Sequence, residues 1–168
     1  MSLAWIGLGA NLGRPKSTLE TALQALELVP SSRLLSVSPA YWTPPWGVLD
    51  QPDFLNAVAC LQTQQPPVDL LQFLLDIERH LGRMRDHPRW GPREIDLDLL
   101  MVDDRVEDSA SLTLPHPRLH ERAFVLLPLS DLAPALEVPG HGAVSDLLEA
   151  LPEEALDGIR AAGHLASQ

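Results

Sequence analysis

The spacing of apolar residues divides the chain into strand-like and helix-like stretches. Residues 3–8 (LAWIGL) form an apolar run of strand length that meets the glycine-rich stretch Gly9-Ala-Asn-Leu-Gly13, which predicts a buried strand and then a tight turn. Ser17 stands where an N-cap belongs, and Leu19, Ala22, Leu23 and Leu26 recur at helical spacing behind it. Residues 33–43 (RLLSVSPAYWT) have the alternation and β-branched content of a strand, with Pro39 marking an edge or a bulge. Residues 44–52 (PPWGVLDQP) predict a surface loop, because three prolines and a glycine leave no room for regular structure.

Residues 54–63 (FLNAVACLQT) predict the next strand, and Pro66-Pro67 open a helix whose stripe is Leu70, Leu71, Leu74, Ile77 and Leu81, stopped by Gly82. A second loop, 83–92 (RMRDHPRWGP), leads into 94–102 (EIDLDLLMV), the clearest strand pattern in the chain. Beyond it, 112–115 is short and extended, 120–129 predicts a helical turn or two, and 144–151 and 154–162 predict terminal helices. The order is mixed, and the Pro-rich connections are too short for right-handed crossover helices. The prediction is therefore α+β, with a largely antiparallel sheet packed with helices.

At 168 residues the chain has the length of one domain, spanning 1–168, and 45% hydrophobic against 21% charged residues is an ordinary globular balance. No run reaches the ~18 apolar residues of a membrane span, and the apolar start lacks a basic leader segment. The single cysteine, Cys60, lies in an apolar run and predicts a buried, inert thiol in a reducing cytoplasm. A net charge of −11 speaks against nucleic acid as a partner, since phosphate contacts would have to outweigh long-range repulsion. Yet Arg79, Arg83, Arg85, Arg89 and Arg93 crowd one short segment. Guanidinium groups concentrated in an acidic protein fit local reception of a small polyanion.

Chemistry concentrates at Asp96-Leu97-Asp98. In a strand, alternate side chains share a face, so both carboxylates point one way while Ile95, Leu97 and Leu99 point into the core. Such a pair suits a hard cation, and magnesium in particular, which is held by one or two carboxylates plus phosphate oxygens. Arginines beside metal-holding carboxylates form the usual constellation for phosphoryl transfer. Trp90 and Gly91 fit a lid that excludes water from phosphates. His116 and His120 invite a zinc reading by their spacing, but Pro117 interrupts a continuous helix and no third ligand is in view; a phosphate contact or a structural role suits His116 better. The turn Gly7-Leu-Gly9-Ala-Asn-Leu-Gly13 fails as a dinucleotide fingerprint, because its third glycine comes one residue late and no βαβ pattern follows. Thr43, Pro44, Trp46, Phe54, Asn56, Trp90 and Phe124 offer aromatic faces and an amide to a flat heterocycle.

Together these segments resemble the 6-hydroxymethyl-7,8-dihydropterin pyrophosphokinase family of folate biosynthesis. The resemblance is carried by GLGANLG, Thr43-Pro-Pro-Trp-Gly, Gln51-Pro-Asp-Phe-Leu-Asn56, Glu78 with Leu81-Gly-Arg83, Arg89-Trp-Gly-Pro-Arg-Glu-Ile-Asp-Leu-Asp98, Pro115-His-Pro and Arg122-Ala-Phe-Val-Leu, in family order over about residues 3 to 134. It implies a ferredoxin-like core, and transfer of pyrophosphate from ATP to the hydroxymethyl oxygen of a reduced pterin, releasing AMP. By the same resemblance, Asp96 and Asp98 hold two magnesium ions, and Arg83 and Arg93 serve catalysis. Arg83, Arg85, Arg93, His116 and Arg122 contact ATP. The pterin lies between Phe54 and Phe124, reached by Asn56, with Thr43, Pro44 and Trp46 along its edge and Trp90 closing over it. Glu78 orients the site from behind. Asp86 and Trp46 depart from the family pattern. ATP and the pterin are the only expected partners of a cytoplasmic monomer.

Two other readings compete. A magnesium-dependent phosphohydrolase or nuclease would use the same aspartates with water as nucleophile, and would release inorganic phosphate in place of AMP and pterin pyrophosphate. A non-catalytic nucleotide-binding module would show no ATP turnover at all.

Overall fold

The computed structural model describes residues 1–45, 49–82 and 94–166. Strand β1 (Ser2–Ala10) is followed by helix α1 (Pro15–Glu27), then β2 (Ser32–Val37), β3 (Pro39–Thr43), β4 (Phe54–Thr63), α2 (Pro67–His80) and β5 (Asp96–Val102). Two short strands, β6 (Glu107–Asp108) and β7 (Thr113–Leu114), pair with each other; α3 (Ala123–Leu132) follows. The chain closes with the ribbon β8 (Glu137–Val138) and β9 (Gly142–Ala143), helix α4 (Val144–Ala150) and strand β10 (Arg160–His164).

The main sheet runs β10-β3-β4-β1-β5, with β2 also paired to β4, and every pairing in it is antiparallel. With β2 and β3 counted as one broken strand, the β-α-β-β-α-β order and the central β4-β1 pair give a ferredoxin-like topology. The predicted α+β class is therefore what the chain adopts. No helix among the described residues is long and apolar enough to cross a membrane.

Each sheet face has its own core. Ile6, Leu8, Leu55, Ala57, Leu97 and Leu99 point towards α1 and α2 and meet Leu19, Leu23, Leu70 and Leu74. Trp5, Val58, Cys60 and Leu100 point the other way and meet Leu126 and Leu129 of α3 and Val144 of α4. Helices α3 and α4 cover only part of this second face. The rest of it carries Phe54, Asn56, Gly7, Gly9, Asp96 and Asp98, so the functional surface continues a core layer beyond those two helices.

Several expectations are corrected. The glycines at 7 and 9 lie inside β1, which continues to Ala10, so the turn starts later than the sequence suggests. Helix α1 starts at Pro15; Arg14 holds the N-cap position, and Ser17 lies within the first turn, because proline's fixed φ and missing N–H suit the first helical position. The expected strand at 33–43 is broken at Ser38, whose Oγ accepts the Val58 N–H at 2.9 Å where a ladder bond would otherwise fall. The expected helix at 154–162 is a short 3-10 turn at Glu153–Leu156 followed by β10. There the unpaired edge of β3 recruits the tail, with Arg160 opposite Trp42 and Ala161 opposite Tyr41, and a tertiary ladder overrides a weak helical pattern.

Candidate active site

The sheet register assembles the site. Gly9 of β1 lies opposite Asn56 of β4 on one side and Asp96 of β5 on the other; Gly7 likewise lies between Val58 and Asp98. In an antiparallel ladder, opposed residues share a face. Asn56, Asp96 and Asp98 therefore project from one surface with two bare glycines between them. Asp96 and Asp98 are both half-buried, while the intervening Leu97 is buried on the opposite face.

Asn56 is 7% exposed and donates from Nδ2 to Thr43 Oγ1 at 2.7 Å. A Cβ at Gly9 would stand 2.7 Å from Asn56 Oδ1, so only glycine leaves room for this amide. Phe54, opposite Thr43 at the end of the same strand pair, projects from the same face as Asn56. The stretch entering β4 is fastened from the residue just after β1, because Asn11 Nδ2 donates to Gln51 Oε1 at 2.8 Å and to the Pro52 carbonyl at 2.9 Å.

Behind the aspartates, Glu78 of α2 is 3% exposed and accepts the Leu97 N–H at Oε2, 2.7 Å away. A helix carboxylate thus grips the backbone between the two acidic side chains, which fixes their height on the sheet.

The far wall comes from the segment after β7. The His116 N–H donates to the Leu100 carbonyl at 2.8 Å, which docks this segment on β5 two residues beyond Asp98. His116 Nδ1 accepts the Arg118 N–H at 3.2 Å, so a neutral ring carries its proton on Nε2. Burial pushes the His116 pKa below its ordinary value; Asp98 pulls it upward, and Arg122 and Arg118 push it down again. Arg122 occupies the N-cap of α3, and its guanidinium carbon lies 5.4 Å from the centre of the Phe124 ring. Burial lowers the Arg122 pKa from its ordinary value, while Asp98 and Asp96 both act in the opposite direction.

Of the residues singled out in the sequence, Thr43, Phe54, Asn56, Asp96, Asp98, His116, Arg122 and Phe124 thus belong to one side of the sheet, with Pro44 at the rim and Glu78 behind. Trp46, Arg83, Arg85, Trp90 and Arg93 lie outside the described residues. His116 and His120 do not form a pair, because the His120 ring stacks on His141 with centroids 3.9 Å apart. No group of three or more His, Cys, Asp or Glu side chains that could hold a metal occurs among the described residues. Magnesium held by Asp96 and Asp98 would take further ligands from phosphate and water, its usual habit. Two hard carboxylates beside a guanidinium suit that arrangement.

Sequence reasoning missed Gly7 and Gly9 as the floor of the site and the Tyr41–Asp131 hydrogen bond that ties β3 to α3. The glycines are legible in retrospect, since two of them alternate in an otherwise apolar strand and strip one face of side chains.

The family model for 7,8-dihydro-6-hydroxymethylpterin-pyrophosphokinase (HPPK) matches residues 5–134. The chain belongs to the HPPK family. Among its relatives is the 2-amino-4-hydroxy-6-hydroxymethyldihydropteridine pyrophosphokinase of Pseudomonas aeruginosa, 44% identical over 92% of this chain and 95% of the relative. The enzyme of that name from Methylorubrum extorquens is 43% identical over 84% of this chain and 89% of its own length. A crystal structure of wild-type HPPK-DHPS from Plasmodium falciparum with SDX-DHP shares the fold, with a TM-score of 0.64 and 17% identity over 89% of this chain; the match spans 43% of that longer chain. The HPPK match stops at residue 134, so β8, β9, α4 and β10 lie beyond it.

Proposed function

We propose that this chain carries out the HPPK reaction on the surface described above: pyrophosphoryl transfer from ATP to the hydroxymethyl oxygen of 6-hydroxymethyl-7,8-dihydropterin, an ATP-dependent step of folate biosynthesis. The alcohol oxygen attacks the β-phosphorus of ATP, the bond from that phosphorus to the α,β-bridging oxygen breaks, AMP leaves, and the hydroxyl proton is released. A single arrangement carries this reading. Asn56 and the Asp96–Asp98 pair stand on either side of a glycine strand, offering a hydrogen-bonding amide to a heterocycle and two carboxylates to phosphate-bound cations.

Asp96 and Asp98 are the residues that would hold magnesium, two ions by family resemblance. Bound there, magnesium would neutralise and orient the phosphate oxygens, and the reaction asks for that alignment more than for covalent help. Arg122 adds a half-buried positive charge beside the same carboxylates. Neutral His116 offers its Nε2 hydrogen to a phosphate oxygen while Nδ1 is held by the backbone. On the other side, Asn56, oriented by Thr43, hydrogen-bonds the pterin edge; Phe54 and Phe124 supply the ring faces, and Pro44 lies along the rim. Arg83, Arg85, Arg93, Trp46 and Trp90 join the site by family resemblance, with Arg83 and Arg93 acting on the phosphates and Trp46 and Trp90 on the pterin. Leu165, beyond β10, packs into the α1–α2 core, which supports reading the whole length as one domain; we take it to act as a monomer in the cytoplasm.

Product analysis tests the proposal. ATP, the reduced pterin alcohol and magnesium should give AMP and pterin pyrophosphate in equal amounts, and a chelator should stop the reaction. Inorganic phosphate as the product would point to a hydrolase; no turnover would point to a binding module.

A further inference from the structure

The segment beyond residue 134, where the family model ends, returns to the stretch that leads into the pterin side of the site. Strand β10 adds to the free edge of β3, with Arg160 opposite Trp42, immediately before Thr43. From this position Arg160 Nη2 donates to Asp53 Oδ2 at 2.9 Å, while Nη1 donates to the Gly158 carbonyl at 3.0 Å. Asp53 is the residue before Phe54. Gly158, at φ +77°, lies against the ring of Pro44, where a Cβ would come within 2.8 Å of Pro44 Cγ. The tail therefore contacts the connection between β3 and β4 near both of its ends, at Pro44 and at Asp53. Its own far end is anchored too, because Leu165 is 9% exposed within the α1–α2 core and Glu20 Oε2 accepts the Ala166 N–H at 2.7 Å.

We infer that the 158–160 segment is a strap that positions Pro44 and Phe54 for the pterin, with Arg160, Asp53 and Gly158 as positioning residues that do not touch substrate. This inference rests on the functional reading above. The bridge joins partly exposed side chains, 56% and 35% for Arg160 and Asp53, so each member alone has a modest effect. The glycine contact is tighter. Gly158 needs both a left-handed backbone and the absence of a side chain, and any replacement pushes on Pro44 directly. The phosphate side is remote from the strap: Asp96 and Asp98 sit on β5, which is separated from β10 by β3, β4 and β1 in the sheet. Its influence should therefore fall on one substrate only.

The test compares steady-state constants for both substrates in the full-length chain. Arg160→Ala and Asp53→Ala should each raise the pterin KM about two- to fivefold and leave the ATP KM within error. Gly158→Ala should raise it about tenfold. The exchanged pair Asp53→Arg with Arg160→Asp should bring the pterin KM back towards the parent value, an outcome that general loss of stability would not produce. Unchanged pterin KM in the three single variants, equal rises in both KM values, or no recovery in the exchanged pair would overturn the strap while leaving the reaction assignment intact. Failure of the parent chain to form pterin pyrophosphate would overturn both. Thermal melts of every variant identify any that do not fold, in which case the Arg160 and Asp53 variants decide the matter.

Discussion

Asn56 donates to Thr43 Oγ1 at 2.7 Å and lays its carbonyl oxygen over Gly9, so one amide is fixed by a neighbouring strand on one side and by a missing side chain on the other. Gly9→Ala should therefore damage pterin use more than folding. The new Cβ must displace the amide, and the pterin KM should rise about tenfold or more, since an ångström of misplacement is costly at a reacting site. Gly7→Ala is the control: its Cβ would meet only the Leu100 side chain at 3.6 Å, an ordinary contact, and alanine is favoured over glycine inside a strand by about 0.5–1 kcal/mol. Its melting temperature should equal or exceed that of the parent.

Asp98→Asn should lower kcat by about 100-fold or more while the pterin KM stays within about threefold. Loss of a partner that merely orients a ligand already costs about 10–100-fold, and here a candidate ligand itself is weakened. Equal losses in kcat and in pterin affinity would mean that Asp98 acts on the heterocycle.

Glu78→Ala removes the acceptor of a buried backbone N–H, so stability should fall by about 1–3 kcal/mol in denaturant titration. Turnover should fall as well, because Leu97 lies between the two aspartates. Glu78→Gln keeps an acceptor oxygen and should recover most of the stability.

Tyr41 is the only tyrosine in the chain, so its ionisation can be followed directly by tyrosinate absorbance. Burial, and then the hydrogen bond and negative charge of Asp131, push its pKa from 10.0 up to about 12. Asp131→Asn should bring the midpoint only part of the way back, because burial is the larger cause. The folded pKa lies above the unfolded value, so the associated stability is complete below pH 10 and is lost as the pH climbs towards 12. Tyr41→Phe should abolish that part of the alkaline destabilisation.

How much was legible in the sequence depended on how local the cause was. Strand β4 and the alternation of Leu97 and Leu99 against Asp96 and Asp98 could be read directly, because period-two burial is written into neighbouring residues. The stripe of α2 was equally clear, although the burial of Glu78 within it was not, since its partner is a backbone N–H on β5. Strand β10 could not be read at all: nothing in Arg160–His164 favours a strand until the edge of β3 is there to receive it. Gly9 reads as the start of a turn because glycine usually signals one, and Gly7 as an ordinary strand residue; only their placement between β4 and β5 shows that what matters is an absent side chain.

The central position of β1 sets a fixed gauge. Asn56 and the aspartates hang from strands on either side of it, so the two grips are separated by two rungs of a hydrogen-bonded lattice, about 9.5 Å. Side-chain substitutions cannot stretch that interval, because backbone pairing dictates it. A larger acceptor alcohol would have to be accommodated at the rim formed by the connecting segments, which makes those segments, and not the sheet, the place where altered selectivity should be sought.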